Sequence, residues 1–227
     1  MTNFARHVLV TGTSSGIGAA IVERLLLDGH SVIGVARRET QFSGPYRGLT
    51  ADLSDEHECE QLLEKIEHVD SFIHAAGFMA TAPLGALNAK QSSAMWRVHV
   101  AAAEYIANHL RPGMKEKGRI ILIGSRAAAG VPGRSQYAAA KAAMVAMARS
   151  WASELAPHGT TVNVIAPAAT NTPMLSDPDR QSTAPKMPPI GRYIEPAEIA
   201  HAATFLLSEH ASAITGQVLT ICGGSSL

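Results

Sequence analysis

The glycine-rich segment Thr11-Gly12-Thr13-Ser14-Ser15-Gly16-Ile17-Gly18 constrains this chain more than any other feature. Before it stands a short apolar run rich in β-formers, His7 to Val10. After it, Ala19 to Asp28 carries Ala20, Ile21 and Leu25 as a helical stripe that Gly29 ends. A second apolar run, Ser31 to Ala36, follows directly. The order strand, tight turn, helix, strand is that of a parallel βαβ unit. Glycines at the turn let backbone N–H groups approach a pyrophosphate at the positive end of the helix. A glycine-rich turn used only for packing has the same composition, but its place between a first strand and a first helix favours the nucleotide.

The alternation continues. Arg37 to Arg47 holds Gly44-Pro45 and no apolar stripe, so a loop or short turn is expected there. A third strand is expected near Gly48 to Ala51, then a helix from Asp55 to Glu67 with Ser54 as N-cap, and a fourth strand from Ser71 to Ala75. Next come a long helix from Lys90 to Leu110, a strand from Arg119 to Gly124, and a helix from Ser135 to Leu155. A strand from Thr161 to Ile165, a helix from Pro196 to Leu207 and a last strand from Gln217 to Ile221 complete the pattern. The expected fold is a single Rossmann-like, doubly wound α/β domain spanning residues 1–227. Its mostly parallel sheet of seven strands has helices on both faces. Leu175 to Pro189, rich in Pro, Asp and Ser, is the one long stretch without periodicity and reads as a substrate loop.

Composition matters here for what it excludes. Lys plus Arg and Asp plus Glu balance at 19 each, so no net field draws the chain to nucleic acid or anionic lipid. Cys59 and Cys222 match no metal-ligand spacing and build no disulfide framework, and no metal is expected. The first apolar run stops at Thr11-Gly12, too early for a signal peptide, and no later run reaches membrane length. A cytoplasmic protein is the expectation.

Catalytic chemistry is suggested by Tyr137 and Lys141, four residues apart and so on one helix face. An ammonium beside a phenol stabilises the phenolate, lowering a pKa that is ordinarily about 10 towards neutrality. The bare pair equally describes a solvated helix face. Ser125 gives it weight: it lies twelve residues upstream at the end of a strand, where parallel sheets bind their ligands.

Taken together these residues resemble the short-chain dehydrogenase/reductase family, from about His7 to Gly224. Thr11 to Gly18 matches the family's cofactor turn, so Gly12, Thr13, Ser14, Ser15, Gly16, Ile17 and Gly18 are its cofactor-binding residues by resemblance. Asp52-Leu53 matches the pair that contacts adenine, and His74-Ala75-Ala76-Gly77 resembles a motif usually Asn-Asn-Ala-Gly. Pro167 to Met174, including Thr170 and Thr172, resembles the segment flanking the nicotinamide; Thr215-Gly216-Gln217 and Gly223-Gly224 bracket the last strand. The resemblance implies that Tyr137 is proton donor in reduction and base in oxidation. It also implies that Lys141 holds the nicotinamide ribose and that Ser125 polarises the substrate carbonyl.

Three positions depart from the family. His99 stands where an Asn usually holds a water that relays protons to the lysine; an imidazole could do this, or could bond backbone at the fourth strand and pack the core. Ala168 replaces a glycine and Cys222 an acidic residue, and both are expected to alter packing alone. Ala36-Arg37-Arg38 ends the second strand where NAD enzymes place a carboxylate, so Arg37 is expected to pair with a 2′-phosphate and NADP is expected over NAD.

The expected function is therefore NAD(P)-dependent hydride transfer to or from a small carbonyl or alcohol, with Ser125, Tyr137, Lys141 and His99 at the catalytic centre. A cofactor-binding sensor with little turnover is the alternative from another class, and an isomerase or dehydratase would suit a longer chain. Phe78, Met79, Val131, Gln136, Ala169 and the 175–189 loop should line the substrate pocket, where Arg126 and Arg134 could meet an acidic group. A homodimer or homotetramer is expected by resemblance, through the Lys90–Leu110 and Ser135–Leu155 helices and the last strand.

Overall fold

A computed structural model describes residues 5–66, 68–114, 117–176 and 184–227. Its elements are β1 (His7–Thr11), α1 (Gly16–Leu27), β2 (Ser31–Ala36), β3 (Tyr46–Thr50), α2 (Glu56–Leu63), β4 (Ser71–His74) and α3 (Ala89–Trp96). A π turn (Arg97–Ala101) leads to α4 (Ala102–Leu110), followed by β5 (Arg119–Ile123), α5 (Ser135–Leu155), β6 (Thr161–Pro167), α6 (Pro196–Leu207) and β7 (Val218–Ile221). All seven strands are parallel, in the order β3-β2-β1-β4-β5-β6-β7. This is the doubly wound arrangement, and the order reverses between β1 and β4.

The central strands are apolar on both faces because both faces are covered. Alternate side chains leave a strand in opposite directions. Leu9, Phe72, Leu122 and Val164 thus meet Leu62 of α2, Ile106 of α4 and Met144 and Ala148 of α5. Val8, Val10, Ile73, Ile121 and Ile165 meet Ile21 and Leu25 of α1 and Ile199 and Leu206 of α6. β7, at the edge of the sheet, keeps Val218 and Leu219 partly in solvent.

The turn after β1 is set by sterics. Gly12 has φ +76°, and a Cβ there would fall 2.7 Å from the Ala76 nitrogen. Only glycine lets β1 and the chain leaving β4 come this close. Strand and helix boundaries match the sequence expectation within a few residues at most elements, with three differences of physical interest. Asp55, not Ser54, caps α2: its carboxylate accepts from Glu58 N at 3.0 Å, while the Ser54 hydroxyl donates to Asp52. That helix ends at Leu63, and the expected terminus Glu67 lies outside the described residues. The expected Lys90–Leu110 helix is interrupted by the π turn, where Ala102 N reaches back to Arg97 O. Of the 175–189 loop, residues 177–183 lie outside the described residues.

Candidate active site

At the carboxyl ends of the central strands a cleft of about 1190 Å³ opens beside the β1/β4 switch point. That is above the range of about 300–1,000 Å³ for small-molecule pockets, and is room for a dinucleotide with a substrate. One end is the glycine turn. α1 starts from Ser15 in extended backbone, with no side-chain cap and no acidic residue in its first turn. Its leading N–H groups therefore remain available to an anion. The Thr172 methyl sits against the turn, 3.0 Å from a Cβ built on Gly16. The segment carrying Thr172 is held by a parallel bridge between Thr170 and Ile194.

Most residues singled out in the sequence as cofactor contacts line this cleft: Gly12, Ser14 to Gly18, Arg37, Asp52, Leu53, Ala75 to Gly77, Pro167, Thr170 and Thr172. Thr13 is not among the lining residues; its side chain is buried and faces the Tyr46 hydroxyl at 3.4 Å. Of the two arginines after β2, Arg37 is exposed and borders the cleft, whereas Arg38 donates to the Ser14 carbonyl at 2.9 Å.

The other end gathers Ser125, Tyr137, Lys141 and His99. Ser125 follows β5, and its hydroxyl oxygen accepts from Ala127 N at 3.1 Å, capping the 3₁₀ turn Arg126–Ala129. Tyr137 and Lys141 are both buried on one face of α5. The lysine Nζ donates to the Ile123 carbonyl at 2.7 Å and lies 5.7 Å from the Tyr137 ring centre. Burial pushes Lys141 down to about 7.

Two buried histidines flank the pair. His74 Nε2 bonds the Val98 carbonyl at 3.0 Å and its Nδ1 meets Thr11 Oγ1 at 3.0 Å. Burial, reinforced by the Lys141 charge, pushes His74 down to about 3. A neutral ring donating from Nε2 satisfies both contacts: the threonine donates to Nδ1 and still accepts from Ala75 N and Ala76 N. His99 follows the same rule. Its Nε2 bonds the Phe78 carbonyl at 2.8 Å, and burial with the Lys141 charge holds it well below the usual imidazole range. The His99 ring stands edge-on to Tyr137, centres 5.6 Å apart, directly over Gly77, where a Cβ would fall 2.2 Å from Cε1. The remaining nitrogen, Nδ1, is buried with no hydrogen-bond partner among the described residues. It is a lone-pair acceptor.

Phe78, Met79, Val131 and Ala169 line the substrate end as expected, but Gln136 does not: its amide donates to the Asn88 carbonyl. Met174, at the end of the segment expected to flank the nicotinamide, and Met187, in the expected substrate loop, also line the cleft. Ala94 and Val98 of the helix after β4 line it without having been singled out in the sequence, because the π turn sets which side of that helix faces the cleft. Met79, Met95, Ala127 and Tyr137 form a small apolar cluster of their own.

Residues 12–226 match a family model described as "Enoyl-(Acyl carrier protein) reductase". The 3-oxoacyl-[acyl-carrier-protein] reductase FabG of Escherichia coli (strain K12) is 36% identical, over 95% of this chain and 95% of its own length. Among solved structures, a blue fluorescent protein from a metagenomic library in complex with NADPH has a TM-score of 0.87, with 29% identity and 98% of each chain covered. A short chain dehydrogenase from Burkholderia cenocepacia J2315 in complex with NADP has a TM-score of 0.87, with 27% identity and 98% of each chain covered. The chain belongs to the short-chain dehydrogenase/reductase family.

The buried neutral histidines give stability a pH dependence of known sign. Between about pH 6.5 and the depressed native values, the unfolded state binds protons that the native state refuses, so stability falls as pH falls. Each histidine contributes at most about 1.4 kcal/mol per pH unit in that window. Urea unfolding of His74→Asn from pH 6.5 to pH 4.5 should show a shallower loss than the parent; identical slopes would mean that His74 titrates normally.

Proposed function

We propose that this short-chain dehydrogenase/reductase moves a hydride between NADP(H) and a small carbonyl or alcohol, with Tyr137 exchanging the proton at the substrate oxygen. The observation that carries this is the meeting, in one cleft, of a glycine turn with uncapped helix N–H groups and a buried Tyr137–Lys141 pair facing the end of β5. The nicotinamide, when bound, supplies or takes up the hydride. In reduction the carbonyl electron pair moves onto oxygen and the Tyr137 hydroxyl gives that oxygen its proton; oxidation reverses both movements. The Lys141 ammonium stabilises the resulting phenolate, and the same residue would hold the ribose of a bound cofactor. Ser125 keeps its O–H free to donate to the substrate oxygen, since the Ala127 contact uses only a lone pair.

His99 is a positioning residue in this reading. Protonating it is strongly disfavoured, so it does not carry the proton itself; its bare Nδ1 is suited to hold a water near Lys141. Arg37, at the cleft border with no carboxylate at the end of β2, favours the 2′-phosphate, and two relatives in structure were solved with NADPH or NADP. The names among the relatives differ in substrate, which leaves the family's hydride chemistry as their common content. The intact trio Ser125, Tyr137 and Lys141 argues against a sensor without turnover.

A single domain carrying both cofactor and substrate suits the one continuous sheet. Among the described residues no helix is long and apolar enough to cross a membrane, and the balanced charge suits neither nucleic acid nor lipid, in keeping with a cytoplasmic enzyme. Trp96 and Tyr105, exposed on α3 and α4, and the alanine-rich α5 suit a homodimer face, and the exposed β7 a second contact that would complete a tetramer.

Tyr137→Phe should lower kcat by roughly 10²–10⁴-fold, the usual worth of general acid–base catalysis, while NADPH affinity measured by fluorescence stays within a few-fold. Activity near the parent's would remove Tyr137 from the proton step. Arg37→Asp should shift the kcat/KM ratio towards NADH by about tenfold or more, through a lost pair and an added repulsion; an unchanged ratio would take Arg37 out of cofactor selection.

A further inference from the structure

The rings at the catalytic end of the cleft form a row. His99 stands edge-on to Tyr137, with centres 5.6 Å apart and planes at 81°. It lies closer to parallel with Phe78, with centres 6.3 Å apart and planes at 25°. Edge-to-face and offset-parallel contacts at such separations are the favourable ones for aromatic pairs. His99 holds Phe78 twice, through its ring and through the bond from Nε2 to the Phe78 carbonyl at 2.8 Å. His99 and Tyr137 are buried, whereas Phe78 is half-buried and borders the cleft. The row therefore ends at the cleft in an aromatic side chain that the protein covers only in part.

Apolar side chains from other segments converge on the same place. Met79, Met95, Ala127 and Tyr137 are the buried centre of an apolar cluster distinct from those on the two faces of the sheet. Phe78 after β4, Val131 after the 3₁₀ turn and Met174 after β6 pack against it, half-buried, and all three line the cleft. Met187 lines it too and is 55% exposed, although the backbone beside it is held. Pro188 is buried, Ile190 N donates to the Gly223 carbonyl at 3.1 Å, and a Cβ on Gly223 would fall 2.7 Å from the Ile190 side chain. Apolar surface left in water around a reactive hydroxyl is stabilised when an apolar part of a ligand covers it.

The residue types select among apolar ligands. Methionine is unbranched and polarisable, fits itself to a flat partner, and makes favourable contacts between sulfur and aromatic rings. A rigid ring also covers this surface with fewer rotors to immobilise than a saturated chain of equal area. Arg126, Arg134 and Lys186, which line the cleft as well, are compatible with a ring, since cations lie favourably over aromatic faces.

We propose that the substrate is a small aromatic carbonyl compound or the matching alcohol. Its ring stands one or two bonds from the carbonyl carbon and covers the cleft-facing surface of Phe78, Val131 and Met174 while the oxygen meets Ser125 and Tyr137. This deepens the hydride-transfer reading and rests on it.

The test compares phenylacetone with cyclohexylacetone, acetone and pyruvate, using NADPH and the full-length enzyme. A methylene separates ring from carbonyl in the first two, so their carbonyls have similar intrinsic reactivity. Parent kcat/KM should favour phenylacetone over acetone by roughly 10- to 100-fold, the worth of burying one ring. It should favour phenylacetone over cyclohexylacetone by roughly 2- to 10-fold, the worth of ring–ring and sulfur–ring contacts. Phe78→Leu and Met174→Leu should each bring the second ratio towards one, with NADPH affinity reporting that the variants fold. Equal values for the two ring ketones in the parent, a preference for pyruvate, or an unchanged ratio in both variants would overturn the proposal. If no carbonyl of a wider panel turns over, the oxidoreductase reading fails by itself, and calorimetry of the NADP-loaded protein with the two ring ketones decides the pocket. Tighter binding of phenylacetone, lost in Phe78→Leu, supports it; no binding, or equal binding of the two, overturns it.

Discussion

The hydroxyl of Thr11 is the junction on which the arrangement of this site depends. At the end of β1 it donates to His74 and accepts from the two backbone N–H groups that follow β4, using its donor and both lone pairs in a fully buried position. Through it the glycine turn is locked to β4 at the point where strand order reverses. His74 passes the constraint on, because its second nitrogen holds the Val98 carbonyl within the π turn. A π turn re-aims the residues it contains. Here it carries His99 across to Phe78 and Tyr137. One chain of hydrogen bonds thus connects the cofactor end of the cleft with the wall behind the catalytic tyrosine.

That chain works only with neutral imidazoles. Each histidine gives one N–H to a carbonyl and offers one lone pair, and a second proton would face the threonine hydroxyl's hydrogen at His74 or, at His99, a buried position with no acceptor among the described residues. Burial and the nearby Lys141 charge both act against that proton. The histidines thus carry no charge beside the pair, and Lys141, which its own burial brings down to about 7, is the titratable cation next to Tyr137. Low polarity around the pair makes each remaining charge count for more.

Much of this was legible in the sequence, and the boundary has physical causes. β2, α5 and α6 appear at their expected limits because local apolar periodicity and caps determine them. The doubly wound class followed from alternation alone. The π turn was not legible, since a π insertion leaves helical periodicity almost intact and is specified here by contacts to His74 and Phe78, distant in sequence. Asp55 outcompetes Ser54 as cap because Asp52 engages the serine. Gln136 and Thr13 turn away from the cleft towards partners, Asn88 and Tyr46, that no local pattern predicts. Of the two readings of His99, the bond to backbone just beyond β4 is present, from Nε2 to the Phe78 carbonyl.

The account stands on hydride transfer at the Tyr137 end of the cleft. Single-turnover reduction of a small carbonyl substrate with NADPH deuterated at the transferring carbon tests this most directly, with the product followed by NMR. The account predicts deuterium at the new carbinol carbon and a slower rate than with unlabelled NADPH. Alcohol formed without deuterium at that carbon, from label confirmed at the transferring position, would contradict it.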